Sequence, residues 1–254
     1  MAVSYAGGGA VATITLDKPP ANSYDIEMIA ELGEAIDEAA ADAAARVVVV
    51  RSASERFFCA GADIKAFLAN DADANMEMIG TAHRTLSRMA AADQAFVAWI
   101  AGHALGGGLE IALACDLRYA LAGDYRMGTP EVTLGLLPGN GGTQRLTRQI
   151  GRGPALELLL TGRTLTPAEA HGLGIVGGVF DDEEAFDPHV QRLAAGPPLA
   201  LAAIKRCVHD GAERPLEDGL ELERQRMEAL FRSKDAIEGL TAFVEKRPPE
   251  FVGA

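Results

Sequence analysis

Two short stretches of this 254-residue chain carry only apolar side chains: Val47-Val48-Val49-Val50, and Phe96 to Ile100. Runs of that length, rich in β-branched and aromatic residues, mark strands covered on both faces. Each follows a stretch of helical character. Before the first, Ile26, Ile29, Leu32 and Ile36 recur at helical spacing from Asp25, and alanines carry the expected helix on to Ala45. Before the second, a helix is expected around Met76 to Met89, and another opens after it at Gly106-Gly107-Gly108. Strand and helix alternate, so the core is α/β. At the N-terminus, Val3 to Tyr5 and Val11 to Leu16 flank Gly7-Gly8-Gly9 and read as a hairpin. Beyond Gly141 the patterns are mostly helical: Gln144 to Ile150, Pro154 to Leu160, Pro167 to His171, Pro198 to His209 and Leu216 to Phe231. Gly196-Pro197-Pro198 interrupts them, which divides an expected core at 1–195 from a helical region at 196–254.

Charge narrows the function classes. Asp and Glu number 36 against 23 Lys and Arg, a net charge of −13. That composition argues against general nucleic-acid affinity and against anionic membrane surfaces, both of which require basic surface. Cys59, Cys115 and Cys207 form an odd set without CxxC spacing, so neither a disulfide framework nor a cysteine-built zinc site is expected. Without a basic start followed by an apolar core at the N-terminus, and without an apolar run of membrane-spanning length, the expected location is the cytoplasm.

One glycine motif misleads. Gly172-Leu173-Gly174-Ile175-Val176-Gly177 matches GxGxxG, but it follows a helix and precedes a strand, the reverse of the dinucleotide-binding context. It reads as a helix-to-strand turn. Two other segments carry more chemistry. Phe57-Phe58-Cys59-Ala60-Gly61-Ala62-Asp63-Ile64 follows the valine strand and offers unpaired backbone N–H groups. Gly102 to Glu110 places three glycines at a helix start, where the first N–H groups lack intrahelical partners at the positive end of the dipole. Together the two could hold an oxyanion. Two acids stand close by in sequence: Glu110, directly after the second cluster, and Glu131 in Thr129-Pro130-Glu131. From spacing alone the plainer reading of each is structural: Glu110 as a first-turn acid complementing the helix dipole, and Glu131 as an N-terminal acid of a short helix.

CAGADIKAF, GHALGGGLEIALACDLRYA and GTPEVTLGLLPGNGGTQRLTRQIG, in this order, resemble the crotonase superfamily of enoyl-CoA hydratases and isomerases. The resemblance extends from the N-terminal hairpin and Pro20-Ala21-Asn22 to the tail Ala242 to Arg247. It implies a crotonase-like spiral of ββα units with a C-terminal helical trimerisation region, a homotrimer or homohexamer, and an acyl-CoA thioester as substrate. It places the oxyanion-hole N–H groups on Ala60 and Gly107 and the catalytic acids on Glu110 and Glu131. It lines the substrate with Ala21, Ser23, Ala62, Asp63, Ile64, Gly106, Pro130, Gly139, Asn140, Phe243 and Lys246. No metal or other cofactor is implied, CoA being part of the substrate.

With both acids present, the resemblance favours hydration of a 2-enoyl-CoA, since one acid can act on a water while the other serves Cα. A Δ3,Δ2-enoyl-CoA isomerase, which needs a single carboxylate, is the alternative. An acyl-CoA-binding protein without turnover is the alternative of another class. Pro20 stands where the family often has a basic residue near CoA, and Ile100-Ala101-Gly102 replaces the usual Val-Asn-Gly. Asn140 replaces a common alanine and reads as a turn asparagine or as a contact to a polar acyl group. Trp99 is most simply core. The negative charge opposes a polyanionic CoA unless Lys65, Arg84, Lys246 or Arg247 make a local positive mouth.

Overall fold

A computed structural model describes all 254 residues. The hairpin β1 (Val3–Ala6) and β2 (Val11–Leu16) leads into α1 (Ile26–Ala41) and the valine strand β3 (Val47–Ser52). Asp25 caps α1, its side chain accepting the Met28 N–H at 3.0 Å. The helix stops short of the expected Ala45. Asp42 leaves the helical conformation, and its carboxylate takes the Tyr5 hydroxyl at 2.7 Å and the Ala44 N–H at 2.9 Å.

There follow β4 (Phe57–Cys59), α2 (Ile64–Ala69), α3 (Ala72–Ala91), β5 (Ala95–Ile100), β6 (His103–Leu105), α4 (Gly107–Ala114), β7 (Leu117–Leu121) and β8 (Met127–Gly128). α3 begins four residues before Met76 because Asp71 caps it at the Ala74 N–H. After a 3₁₀ turn (Pro130–Leu134) come α5 (Gly142–Ile150), α6 (Arg152–Thr161), α7 (Pro167–Gly172), β9 (Val179–Phe180) and α8 (Glu183–Ala194). α9 (Pro198–Gly211), α10 (Leu216–Leu230) and α11 (Lys234–Glu245) complete the chain.

The strands form two sheets. The larger has the order β1-β2-β3-β5-β7-β9, antiparallel only between β1 and β2; the smaller, β4-β6-β8, is parallel throughout. Alternation along the central strands sorts side chains onto opposite faces. Val48, Val50, Phe96, Ala98 and Ile100 join the main core with α1, α3 and α4, while Val47, Val49, Val97, Trp99 and Tyr119 pack on α8. Trp99 is core, stacked on Phe186 with ring centroids 4.2 Å apart.

α9 is anchored to this body. Buried Lys205 donates to the Met89 and Gln94 carbonyls at 2.6 and 2.7 Å and pairs with Asp116 at 2.9 Å. α10 differs: none of its residues is buried, and Leu216, Leu220, Met227 and the adjoining Phe231 are exposed. The segment Gly172 to Gly177 joins α7 to β9 and is the turn its order suggested.

Candidate active site

The two glycine-bearing segments meet where β4 and β6 run side by side. β4 delivers the Ala60–Asp63 loop, and β6 runs into the start of α4. They approach so closely that a Cβ on Gly61 would lie 2.9 Å from the Leu105 carbonyl and 3.3 Å from the Gly107 nitrogen. Gly106 caps α4 at φ 53°, ψ −129°, a conformation that favours glycine. Gly107 is the first residue of the helix, so its N–H has no intrahelical acceptor and lies at the positive end of the dipole.

The donor expected in the other segment is corrected by its geometry. The Ala60 N–H is engaged by the Ala21 carbonyl at 3.0 Å and is not available to a ligand. Ala62 is the alternative two residues on. Tyr24 and Ala62 form an isolated parallel bridge in which the Tyr24 N–H donates to Gly61 at 2.9 Å and Asp63 donates to the Tyr24 carbonyl at 2.8 Å. The Ala62 N–H itself donates to no acceptor in the chain. Gly61, at φ 96°, turns the chain between the two alanines. The sequence Ala60-Gly61-Ala62 does not reveal which alanine faces inward, because the choice depends on that bridge.

Both acids are at the site. Glu110 lies in the first turn of α4, 1% exposed. Its Oε1 accepts the N–H groups of Asn140 at 2.7 Å and Gly142 at 2.6 Å. Burial pushes its pKa up to about 7, and the charge of Glu131 adds to the rise; the two N–H groups and Arg145 oppose it. Glu131 reaches the same place from the 3₁₀ turn, where Pro130 occupies the first position. A Cβ on Gly106 would stand 2.8 Å from Glu131 Oε1, so the carboxyl lies directly against that glycine. Burial raises the pKa of Glu131 too. Its Oε2 is buried without a hydrogen-bond partner, as is the hydroxyl of neighbouring Thr129. Burial thus makes both carboxyl groups hold a proton more readily than an exposed carboxylate does.

Asn140 lies in the turn that leads into α5, as one reading of the sequence has it, but it is buried and not an open contact. Gly141 takes the left-handed position at φ 101°, while Asn140 is buried with its amide Nδ2 donating to the Tyr24 hydroxyl. Tyr24 carries weight that apolar periodicity, counted only from Asp25, passes over. Its hydroxyl lies against Gly107, where an added Cβ would come within 2.0 Å of it.

The remaining expected contacts divide. Gly106 and Pro130 border Glu131, while Gly139 precedes Asn140 and its carbonyl lies 2.6 Å from His83 Nε2. Ser23 is half-buried beside Tyr24. Asp63 caps α2, accepting the Lys65 N–H at 2.8 Å, and Ile64 is half exposed. Phe243 and Lys246 are exposed at the end of α11: Phe243 is 84% exposed, and no hydrogen bond joins that helix to Ala62, Gly107, Glu110 or Glu131. Arg247 is not free for a phosphate, since both its terminal nitrogens bind Glu238 and its Nε binds Glu245.

A family model for enoyl-CoA hydratase/isomerase matches residues 6–254. The chain belongs to that family. Its crotonase fold is shared, at 39% identity and a TM-score of 0.96, with an enoyl-CoA hydratase structure from Geobacillus kaustophilus HTA426, covering 100% of this chain and 97% of the other. A probable enoyl-CoA hydratase of Bacillus subtilis (strain 168) is 37% identical over 257 residues, 99% of each chain. The 2,3-dehydroadipyl-CoA hydratase of Escherichia coli (strain K12) is 36% identical, covering 96% of this chain and 95% of its own. No helix is long and apolar enough to cross a membrane.

In this family member the buried acid also governs stability. A carboxyl whose folded pKa lies above its unfolded value binds its proton more tightly when folded. Its contribution is complete below about pH 4.5 and is lost as pH rises through about 7. A shift of that size corresponds to on the order of 3 kcal/mol. Glu110→Gln abolishes the titration, so the unfolding free energy of the variant relative to the parent should rise between pH 4.5 and 8. Urea unfolding at the two pH values checks this; parallel behaviour of the two proteins would contradict a buried, raised Glu110.

Proposed function

We propose that the chain adds water across the Cα=Cβ bond of a 2-trans-enoyl-CoA to give a 3-hydroxyacyl-CoA. One observation carries the reading: a buried carboxyl group and a half-buried one whose Oε2 is buried without a partner stand beside two backbone N–H groups that have no acceptor in the chain.

The thioester oxygen would accept from Ala62 and Gly107, so negative charge developing on it meets donors already in place, each worth roughly 10²–10³ in rate. Polarisation makes Cβ electrophilic. A water between the carboxyl groups loses a proton to the ionised one as its oxygen bonds to Cβ, and the protonated one delivers hydrogen to Cα. This chemistry calls on no metal or redox cofactor. An isomerase would need one carboxylate and would leave the second acid, buried at the cost of its solvation, without a task.

The same reading extends to assembly and place: a homotrimer or a dimer of trimers in the cytoplasm, with α9 to α11 packing on another copy. The exposed apolar side chains of α10 support it, as do the exposed Phe243 and Lys246, which would serve CoA bound by a neighbour. Light scattering at micromolar concentration should give a multiple of three chains; a monomer would contradict it.

The enzymatic reading is tested by incubating the protein with 2-enoyl, 3-enoyl and 3-hydroxyacyl-CoA thioesters and identifying products by mass and NMR. Loss of the enoyl-thioester absorbance with a mass gain of one water supports it. A product with only a shifted double bond would replace it with isomerisation, and binding without turnover would leave a non-catalytic protein.

A further inference from the structure

We infer that Tyr24 and Asn140 act as one positioning device, which ties the loop bearing the Ala62 N–H to the clamp that holds Glu110. The inference rests on the hydratase reading for its kinetic consequences but not for its structural ones.

Asn140 is fastened at three points. Its N–H donates to Glu110 Oε1 at 2.7 Å, its carbonyl accepts Arg145 Nη1 at 2.7 Å, and its side-chain amide donates to the Tyr24 hydroxyl. Tyr24 is fastened on the other side. Its backbone N–H and carbonyl are bridged to Gly61 and Asp63, on either side of Ala62. A single side-chain hydrogen bond, buried at both ends, therefore joins the two halves of the site.

That bond lies between buried partners and has no competing solvent, so its loss leaves the Asn140 amide unsatisfied. With Asn140 loosened, its N–H no longer holds Glu110 Oε1 at one distance, and an error of about 1 Å in a reacting group can cost about 10²-fold in rate. Tyr24 itself remains neutral, because burial and the nearby Glu110 raise its pKa well above the usual phenol range. It acts by holding Asn140, not by moving a proton.

Tyr24→Phe removes the hydroxyl and keeps the ring. Expected are a fall in kcat of about 10-fold with KM within about twofold, and an acidic limb of the kcat profile displaced to higher pH, since Glu110 loses part of a hydrogen bond that favours its ionised form. Asn140→Ala should do the same, and the double variant should be no worse than the single ones. Glu131 from the 3₁₀ turn, Arg145 from α5 and Tyr24 itself also face Glu110. His83 from α3 reaches Gly139, one residue from Asn140, so His83→Gln is run in parallel as a control for that contact.

A readout without turnover separates this device from the reaction assigned to the site. The carboxyl stretch of Glu110, identified by infrared difference against Glu110→Gln, should titrate at higher pH in Tyr24→Phe than in the parent. If the parent fails to hydrate any enoyl-CoA while this shift appears, the function is wrong and the device stands. An unmoved carboxyl titration with kcat within twofold of the parent, or additive losses in the double variant, would reduce Tyr24 to packing.

Discussion

Glu131→Gln lowers kcat for a 2-trans-enoyl-CoA by about 10²-fold or more, the scale of a positioned acid or base, with KM changed little. The side chain keeps its size against Gly106, and its buried oxygen remains a hydrogen-bond acceptor. It can no longer gain or lose a proton at neutral pH. Glu110→Gln should fall by a similar factor, and the double variant by less than the product, because both acids serve one addition. Steady-state kinetics on the four proteins decide the matter. Near-normal kcat in Glu131→Gln would mean that Glu110 works alone, the pattern of an isomerase.

The second large effect comes from a methyl group. Gly107→Ala places a Cβ within 2.0 Å of the Tyr24 hydroxyl and 2.6 Å of its ring carbons, and Tyr24 cannot swing aside while Asn140 and the Ala62 bridge hold it. The backbone of Gly107 must shift instead, taking its N–H away from the thioester oxygen. A loss of about 10²–10³ in kcat is expected from the misplaced donor, together with about 1–3 kcal/mol of stability from overpacking. Kinetics and urea unfolding measure the two separately. A variant of parental activity would show that the Gly107 N–H takes no part in polarising the thioester.

The sequence made the α/β core legible because both central strands announce themselves. Val47 to Val50 and Phe96 to Ile100 are buried on two faces, and burial on two faces requires an unbroken apolar run. The second sheet was not legible. Its strands are two or three residues long, too short for a period to show, and they exist because β4, β6 and β8 pair across distant parts of the chain. End points depended on side chains reaching out of their own segment, as Asp42 does to Tyr5. At the site, the glutamates and Gly107 were legible through the three motifs that carry the family resemblance, since spacing alone left a helix-dipole acid or a tight turn as the plainer reading of each. The choice between Ala60 and Ala62 was not, since either amide could face inward until the Tyr24 bridge and the Ala21 carbonyl fix the register. Tyr24 and Asn140, 116 positions apart, could be linked only in the folded chain.

The central claim is that Glu110, Glu131 and two backbone donors add water to an activated double bond. The most direct measurement is a reaction with a 2-trans-enoyl-CoA in ¹⁸O-labelled water, without added metal or redox cofactor, followed by mass spectrometry and NMR of the thioester product. The account predicts a 3-hydroxyacyl-CoA carrying one ¹⁸O at C3, formed by the parent protein and at least 10²-fold more slowly by Glu131→Gln. Unlabelled product with only a moved double bond, or equal rates for the parent and Glu131→Gln, would contradict it.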